Sequence, residues 1–106
     1  MRYSVSFTKI SDADLDDIAD YIGQFDPIAA IRFIGQLRER ATSVLAIAPH
    51  GGSRLESIRY FPLGSYVVAY DVDENAKVVT VLMICRGDRD WRRIVESRLR
   101  PPPLDV

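Results

Sequence analysis

A chain of 106 residues that is 47% hydrophobic and 27% charged has the make-up of one globular domain and is too short for two cores of useful size. The longest apolar stretch, Val78 to Cys85, is broken by Thr80 and falls well short of the roughly 20 residues a membrane-spanning helix needs. Met1-Arg2-Tyr3-Ser4-Val5 lacks the apolar run of a secretory signal, so a cytoplasmic protein without membrane association is expected. The net charge of −1 supplies no whole-molecule field for nucleic acid.

Charge is nevertheless divided along the chain: Asp12, Asp14, Asp16, Asp17 and Asp20 crowd the first third, and Arg86, Arg89, Arg92, Arg93, Arg98 and Arg100 the last. From Tyr3 to Thr8 the sequence alternates, with Tyr3, Val5 and Phe7 on one side, which predicts a half-buried strand. Ser11 followed by Asp14 approximates a capping box and sets the expected start of a first helix there. Leu15, Ile18, Ala19 and Ile22 form its apolar stripe, and Gly23 marks its end. Asp26-Pro27 supplies a second cap, with proline at the first helical position, where its missing N–H costs nothing. Ala30, Ile34, Leu37, Ala41, Val44, Leu45 and Ala48 carry that helix to the break at Pro49-His50-Gly51-Gly52. Two helices so closely joined form an antiparallel hairpin.

Three strands follow, over Ile58 to Phe61, Tyr66 to Val72 and Val78 to Cys85, separated by turn-rich segments. The last is apolar on both faces, as expected of a central strand covered on one side by the helices and flanked by neighbours. The lone cysteine, Cys85, excludes an intramolecular disulfide and reads as a small buried hydrophobe. A short helix is expected from Trp91 to Arg98, halted by Pro101-Pro102-Pro103. The predicted fold is α+β: an N-terminal strand, an antiparallel helical hairpin on a small curved, largely antiparallel four-stranded sheet, and a short C-terminal segment. Residues 1–106 are expected to form one domain, with a frayed proline-rich tail at 101–106.

Several motifs in this order carry a resemblance. Pro49-His50-Gly51-Gly52-Ser53-Arg54 precedes Ile58-Arg59-Tyr60-Phe61, a turn, and Tyr66-Val67-Val68-Ala69-Tyr70; the last strand then ends in Arg86-Gly87-Asp88-Arg89-Asp90. Over Tyr3 to Trp91 the chain resembles the RelE/ParE toxin superfamily, and most of all the ParE-type toxins of type II toxin–antitoxin systems. The resemblance implies a growth-arresting, plasmid-stabilising toxin that binds DNA gyrase without catalysis. It also implies a cognate ParD-like antitoxin whose C-terminal segment folds onto this domain and whose N-terminal part binds DNA, so that DNA contact is indirect.

RelE-type members instead cleave ribosome-bound messenger RNA, which calls for cations on the scissile phosphate and a proton-transfer group. Such members commonly place an arginine in the middle strand and a histidine or tyrosine near the C-terminus. Here the middle strand has Val67 after Tyr66, and neither histidine nor tyrosine follows Tyr70. Arg86 stands where ParE-type members often carry histidine. The alternatives are a ribosome-dependent endoribonuclease using some of Arg54, Arg59, Arg86 and Arg89, or a non-toxic remnant that only binds its antitoxin.

The candidate target contacts are Arg54, Arg59, Arg86, Arg89 and Trp91, and the candidate antitoxin contacts are Arg86, Arg92 and Arg93. Each has a plain structural reading beside it. Asp88 and Asp90 interleave with the arginines and can make the cluster a solvated surface, and Trp91 can pack the C-terminal segment onto the sheet rather than recognise a target. His50, a lone histidine without an evident carboxylate partner, reads as structural or exposed rather than as a base, and Tyr60, Tyr66 and Tyr70 as packing residues. No cysteine and histidine spacing supports a metal site, no glycine-rich loop follows a strand into a helix, and no cofactor is expected.

Overall fold

The computed structural model describes residues 2–100; the segment expected to fray, 101–106, lies outside them. Strand β1 (Ser4–Phe7) alternates between exposed serines and half-buried Val5 and Phe7, as its period-2 pattern requires. Helix α1 (Lys9–Gly23) starts earlier than Ser11. Its cap is Thr8, in extended backbone, whose Oγ1 accepts from the Ser11 N–H at 3.0 Å. Ser11 lies inside the helix, fully buried, and its hydroxyl donates to the Thr8 carbonyl. Thr8 serves both patterns, last residue of the alternation and first of the helix, and the capping requirement wins because the first-turn N–H groups have no other partner.

Helix α2 (Pro27–Ile47) begins as expected, with Asp26 Oδ1 accepting from the Ala29 N–H and Pro27 in the first turn. Ala30, Leu37, Ala41 and Leu45 form its buried stripe. After Gly52 come β2 (Ser53–Leu55), β3 (Ile58–Leu63), β4 (Tyr66–Asp73), β5 (Val78–Arg86) and α3 (Trp91–Leu99).

The sheet has five strands rather than four, in the order β1-β5-β4-β3-β2. The additional strand, β2, is three residues long and lacks an apolar alternation. It exists because it pairs antiparallel with β3 through a tight turn at Glu56, whose φ of 54° closes the corner. β5 is an interior strand, flanked by β1, to which it is parallel, and by β4, to which it is antiparallel, while β4 holds the middle of the order. Opposite β4 the register jumps: Ala69 faces Met83 while Tyr70 faces Val81, leaving Leu82 as an extra residue.

That bulge explains why β5 reads as apolar throughout. Val79 and Val81 face the helical hairpin; beyond the bulge the alternation inverts, so that Ile84 faces the hairpin while Met83 and Cys85 face away. The far face is not open to solvent. Helix α3 covers it through Trp91 and Val95, which pack with Ile58, Val67, Ala69, Met83 and Cys85. The sheet is therefore sandwiched, with α1 and α2 on one face and α3 on the other, rather than covered on one side alone.

Candidate functional site

β1 ends at Phe7 while β5 runs on to Arg86, so the β1-side edge of β5 loses its strand partner beyond Val81, whose carbonyl accepts from the Thr8 N–H at 3.1 Å. Backbone groups on such an edge need other partners. Asp14 of α1 and Arg98 of α3 provide them: Asp14 Oδ2 accepts from the Ile84 N–H at 3.0 Å, and Arg98 Nη1 donates to the Leu82 carbonyl at 3.1 Å. The two side chains also join each other, Nη1 to Oδ2 at 2.7 Å and Nη2 to Oδ1 at 2.8 Å. Because α1 and α3 lie on opposite faces of the sheet, this pair clasps the free edge of β5. The Asp14 carboxylate pushes the Arg98 guanidinium above its ordinary pKa, against the opposing effect of burial.

Beside the clasp lies a groove of about 560 Å³, within the size range of ligand-binding clefts. Ile18 and Tyr21 of α1, Tyr66 of β4, Ile84 and Cys85 of β5 and Ile94 of α3 supply its apolar wall; Asp14, Asp17, Arg86, Arg89 and Arg98 supply its charge. Of the three arginines, Arg98 is held by Asp14, and Arg86 by a two-bonded contact with Asp88 at 3.1 and 2.9 Å. Arg89 forms no ion pair among the described residues. Burial pushes the Cys85 thiol above its ordinary pKa, so it is a neutral part of the wall rather than a nucleophile.

The other candidates are distributed elsewhere. Arg54 and Arg59 are cross-strand neighbours on β2 and β3, three and two strand positions from β5 respectively in the sheet order, or about 14 and 10 Å at ~4.8 Å per strand. Arg59 is engaged in structure: its Nη1 donates to the carbonyls of Gly52 at 3.0 Å and His50 at 3.3 Å, holding the corner between α2 and β2. Arg92 lies over the rings of Trp91 and Tyr60, 4.8 and 5.3 Å from their centroids, and donates to the Tyr60 hydroxyl. Arg93 is exposed on α3. Trp91, 9% exposed, belongs to the core under α3 and packs 4.6 Å from the Tyr60 ring centroid; its place is that of a packing residue, not an exposed recognition aromatic.

His50 does have a carboxylate partner, which the sequence does not reveal. Its Nε2 meets Glu74 Oε1, and the second Glu74 oxygen accepts from the Tyr3 hydroxyl at 2.7 Å. His50 and then Tyr3 hold the Glu74 carboxyl below the usual range. This cluster precedes the start of β5, whereas Arg86 ends it, a separation of about 26 Å at ~3.3 Å per residue. Tyr70 is fully buried; its hydroxyl donates to the Pro49 carbonyl at 2.8 Å and accepts from the Gly52 N–H at 3.1 Å, and burial raises its pKa. Tyr66 packs near Phe33 and also borders the groove.

Of the candidate residues, then, the structure brings only Arg86 and Arg89 together in the groove, and adds Asp14, Arg98, Tyr21 and Tyr66 to them. The one sequence signal for the added pair is the division of charge, acidic in α1 and basic at the end of the chain. Among the described residues, no group of three or more metal-ligating side chains converges and no helix is long and apolar enough to cross a membrane.

The family model describing the ParE toxin of type II toxin–antitoxin systems, parDE, matches residues 5–91. The chain belongs to the ParE toxin family. Similar solved structures place this ParE-family toxin in the wider RelE/ParE fold. A chain from the chromosomal ParDE toxin–antitoxin system of P. aeruginosa is 24% identical, with a TM-score of 0.67 over 79% of this chain and 95% of that one. The RelBE2 toxin–antitoxin complex of Mycobacterium tuberculosis matches at 21% identity and a TM-score of 0.61, over 84% of this chain and 95% of that one. A variant of the E. coli toxin RelE in the free state matches at 15% identity and a TM-score of 0.64, over 92% and 94%. The chain matches no curated protein.

Proposed function

We propose that this ParE-family toxin arrests growth by binding DNA gyrase, without catalysis of its own, and that a ParD-like antitoxin neutralises it in the cytoplasm. The observation that carries this reading is the groove between α1, the free edge of β5 and α3. It combines an apolar wall with Arg89, a guanidinium without a carboxylate partner among the described residues, which suits a protein segment bearing apolar and acidic side chains. The antitoxin segment is expected to order on this groove, burial of its apolar side chains offsetting the entropy lost.

Binding rather than hydrolysis is favoured by the position of His50, bonded to Glu74 at the other end of β5 from Arg86 and Arg89. A general base has to lie within hydrogen-bond reach of the proton it removes. The test is gyrase supercoiling with purified toxin: inhibition or accumulation of cleaved DNA is expected, relieved by an antitoxin. Full supercoiling at saturating toxin sinks the gyrase reading, and codon-positioned cleavage of messenger RNA on translating ribosomes replaces it with the endoribonuclease one. Growth unaffected by the toxin without antitoxin identifies a remnant that only binds its partner.

A further inference from the structure

Along the outer surface of α2, Ile28, Arg32, Gly35 and Glu39 follow one another at steps of four, three and four residues, the spacing of a seam between paired helices. All four are exposed, Ile28 is 71% exposed, and neighbouring Ile31 is 77% exposed. Glycine in mid-helix is costly relative to alanine, yet a side chain at Gly35 would meet no atom within 4 Å. Nothing among the described residues requires it. Nor is either charge on this stripe used internally: Arg32 and Glu39 take part in no ion pair among the described residues.

We infer that this face of α2 pairs with the same face of a second copy of the chain, two antiparallel α2 helices crossing at Gly35 about a two-fold axis. The occupant follows from charge complementarity under that symmetry. With the axis between positions 35 and 36, residue i faces residue 71−i, so Arg32 stands opposite the partner's Glu39 and Glu39 opposite the partner's Arg32. One surface thereby supplies two reciprocal ion pairs, the self-complementary pattern of a two-fold interface. Gly35 lies at the centre, where the absence of a side chain lets two helix backbones approach. Ile31 faces the aliphatic stem of the partner's Arg40, and Ile28, opposite the partner's Ser43, a small residue, covers the end of the contact.

One helix pair buries less than the ~1,600 Å² of a standard stable interface and falls in the class of weak, transient contacts, so the dimer is expected to have a dissociation constant in the micromolar range, about 1–100 µM. It is independent of the gyrase reading, since it rests on α2 alone.

Sedimentation equilibrium of the purified toxin tests it, from about 1 µM to several hundred micromolar, bracketing that constant. The weight-average mass is expected to rise from one chain to two. Gly35→Leu places its side chain in space open on the monomer, so it folds, but it separates the helices and weakens the dimer about tenfold or more. Arg32→Glu and Glu39→Arg each set like charges opposite and have a similar effect, while the combined swap restores the wild-type constant to within about threefold. A monomer at every concentration overturns the proposal. So does a dimer indifferent to Gly35→Leu, or a double swap that fails to restore association while melting like the wild type. A toxin that stays monomeric alone, yet loses antitoxin affinity on Gly35→Leu, overturns it too and gives the face to the antitoxin.

Discussion

Asp14 and Arg98 stand 84 positions apart in the chain and form a two-bonded ion pair around the free edge of β5, with side chains 14% and 22% exposed. Each also holds a backbone group of that edge, Asp14 the Ile84 N–H and Arg98 the Leu82 carbonyl. Removing either partner therefore leaves both a half-buried charge and an unpaired backbone group.

Asp14→Ala and Arg98→Ala are each expected to destabilise the fold by about 1–3 kcal/mol, a figure kept below the value for fully buried pairs because water reaches this one. The double variant should cost clearly less than the sum, since the second change removes a group already stranded by the first. Urea unfolding measures both effects. Additive losses, or single losses under about 0.5 kcal/mol, would show that the clasp contributes little.

The corner at Gly52 has no room for a side chain: a Cβ there would collide with the Tyr70 hydroxyl and lie 2.7 Å from the Tyr60 carbonyl oxygen. Gly52→Ala should cost about 2–4 kcal/mol through forced displacement of the strand backbone. Tyr70→Phe should cost about 1–3 kcal/mol, because it leaves the Gly52 N–H and Pro49 carbonyl unpaired. Thermal unfolding of the two variants checks the order; a neutral Gly52→Ala would mean that the corner is looser than its packing indicates.

Glu74 gives the pH dependence a sign. Its carboxyl is held below the ordinary value of 4.5 by His50 and Tyr3, so the unfolded chain binds its proton more readily than the folded one. The stabilisation is fully present above that ordinary value and is lost as pH falls through the lower folded one. Glu74→Gln should therefore flatten the decline in stability on acidification from about pH 5 to pH 3, compared with the wild type by denaturant unfolding at each pH. An unchanged acid limb would show that the contact is open in solution.

For recognition, Arg89 and Arg93 make the informative comparison. Arg89 lines the groove and Arg93 is exposed on α3 outside the groove lining. Arg89→Ala is expected to weaken antitoxin binding by about 10- to 100-fold, and Arg93→Ala by less than about threefold, on the scale of buried against peripheral interface charges. Titration calorimetry with the antitoxin reads both. Equal effects would move the contact out of the groove and onto the outer surface of α3.

The elements that the sequence determines unaided are those whose driving forces act within a few residues. Asp26 and Pro27 start α2 by satisfying and omitting first-turn N–H groups; the Leu15 and Ile18 spacing turns one face of α1 inward; the glycine and proline breaks separate the strands. Tertiary structure decided where partners came from distant segments. β2 is too short to be a strand until β3 pairs with it, and the inversion of β5 at Leu82 exists only against β4. The closure of α3 over the second face belongs to the same class. The site divides along the same line. The arginines at the end of β5 are visible as a charged run, but which of them is left to meet a partner depends on Asp88 for Arg86 and on Asp14 for Arg98. In one case the partner is local; in the other only folding across the sheet brings it within reach, because pairing over so many residues is set by packing and loop closure rather than by local preference.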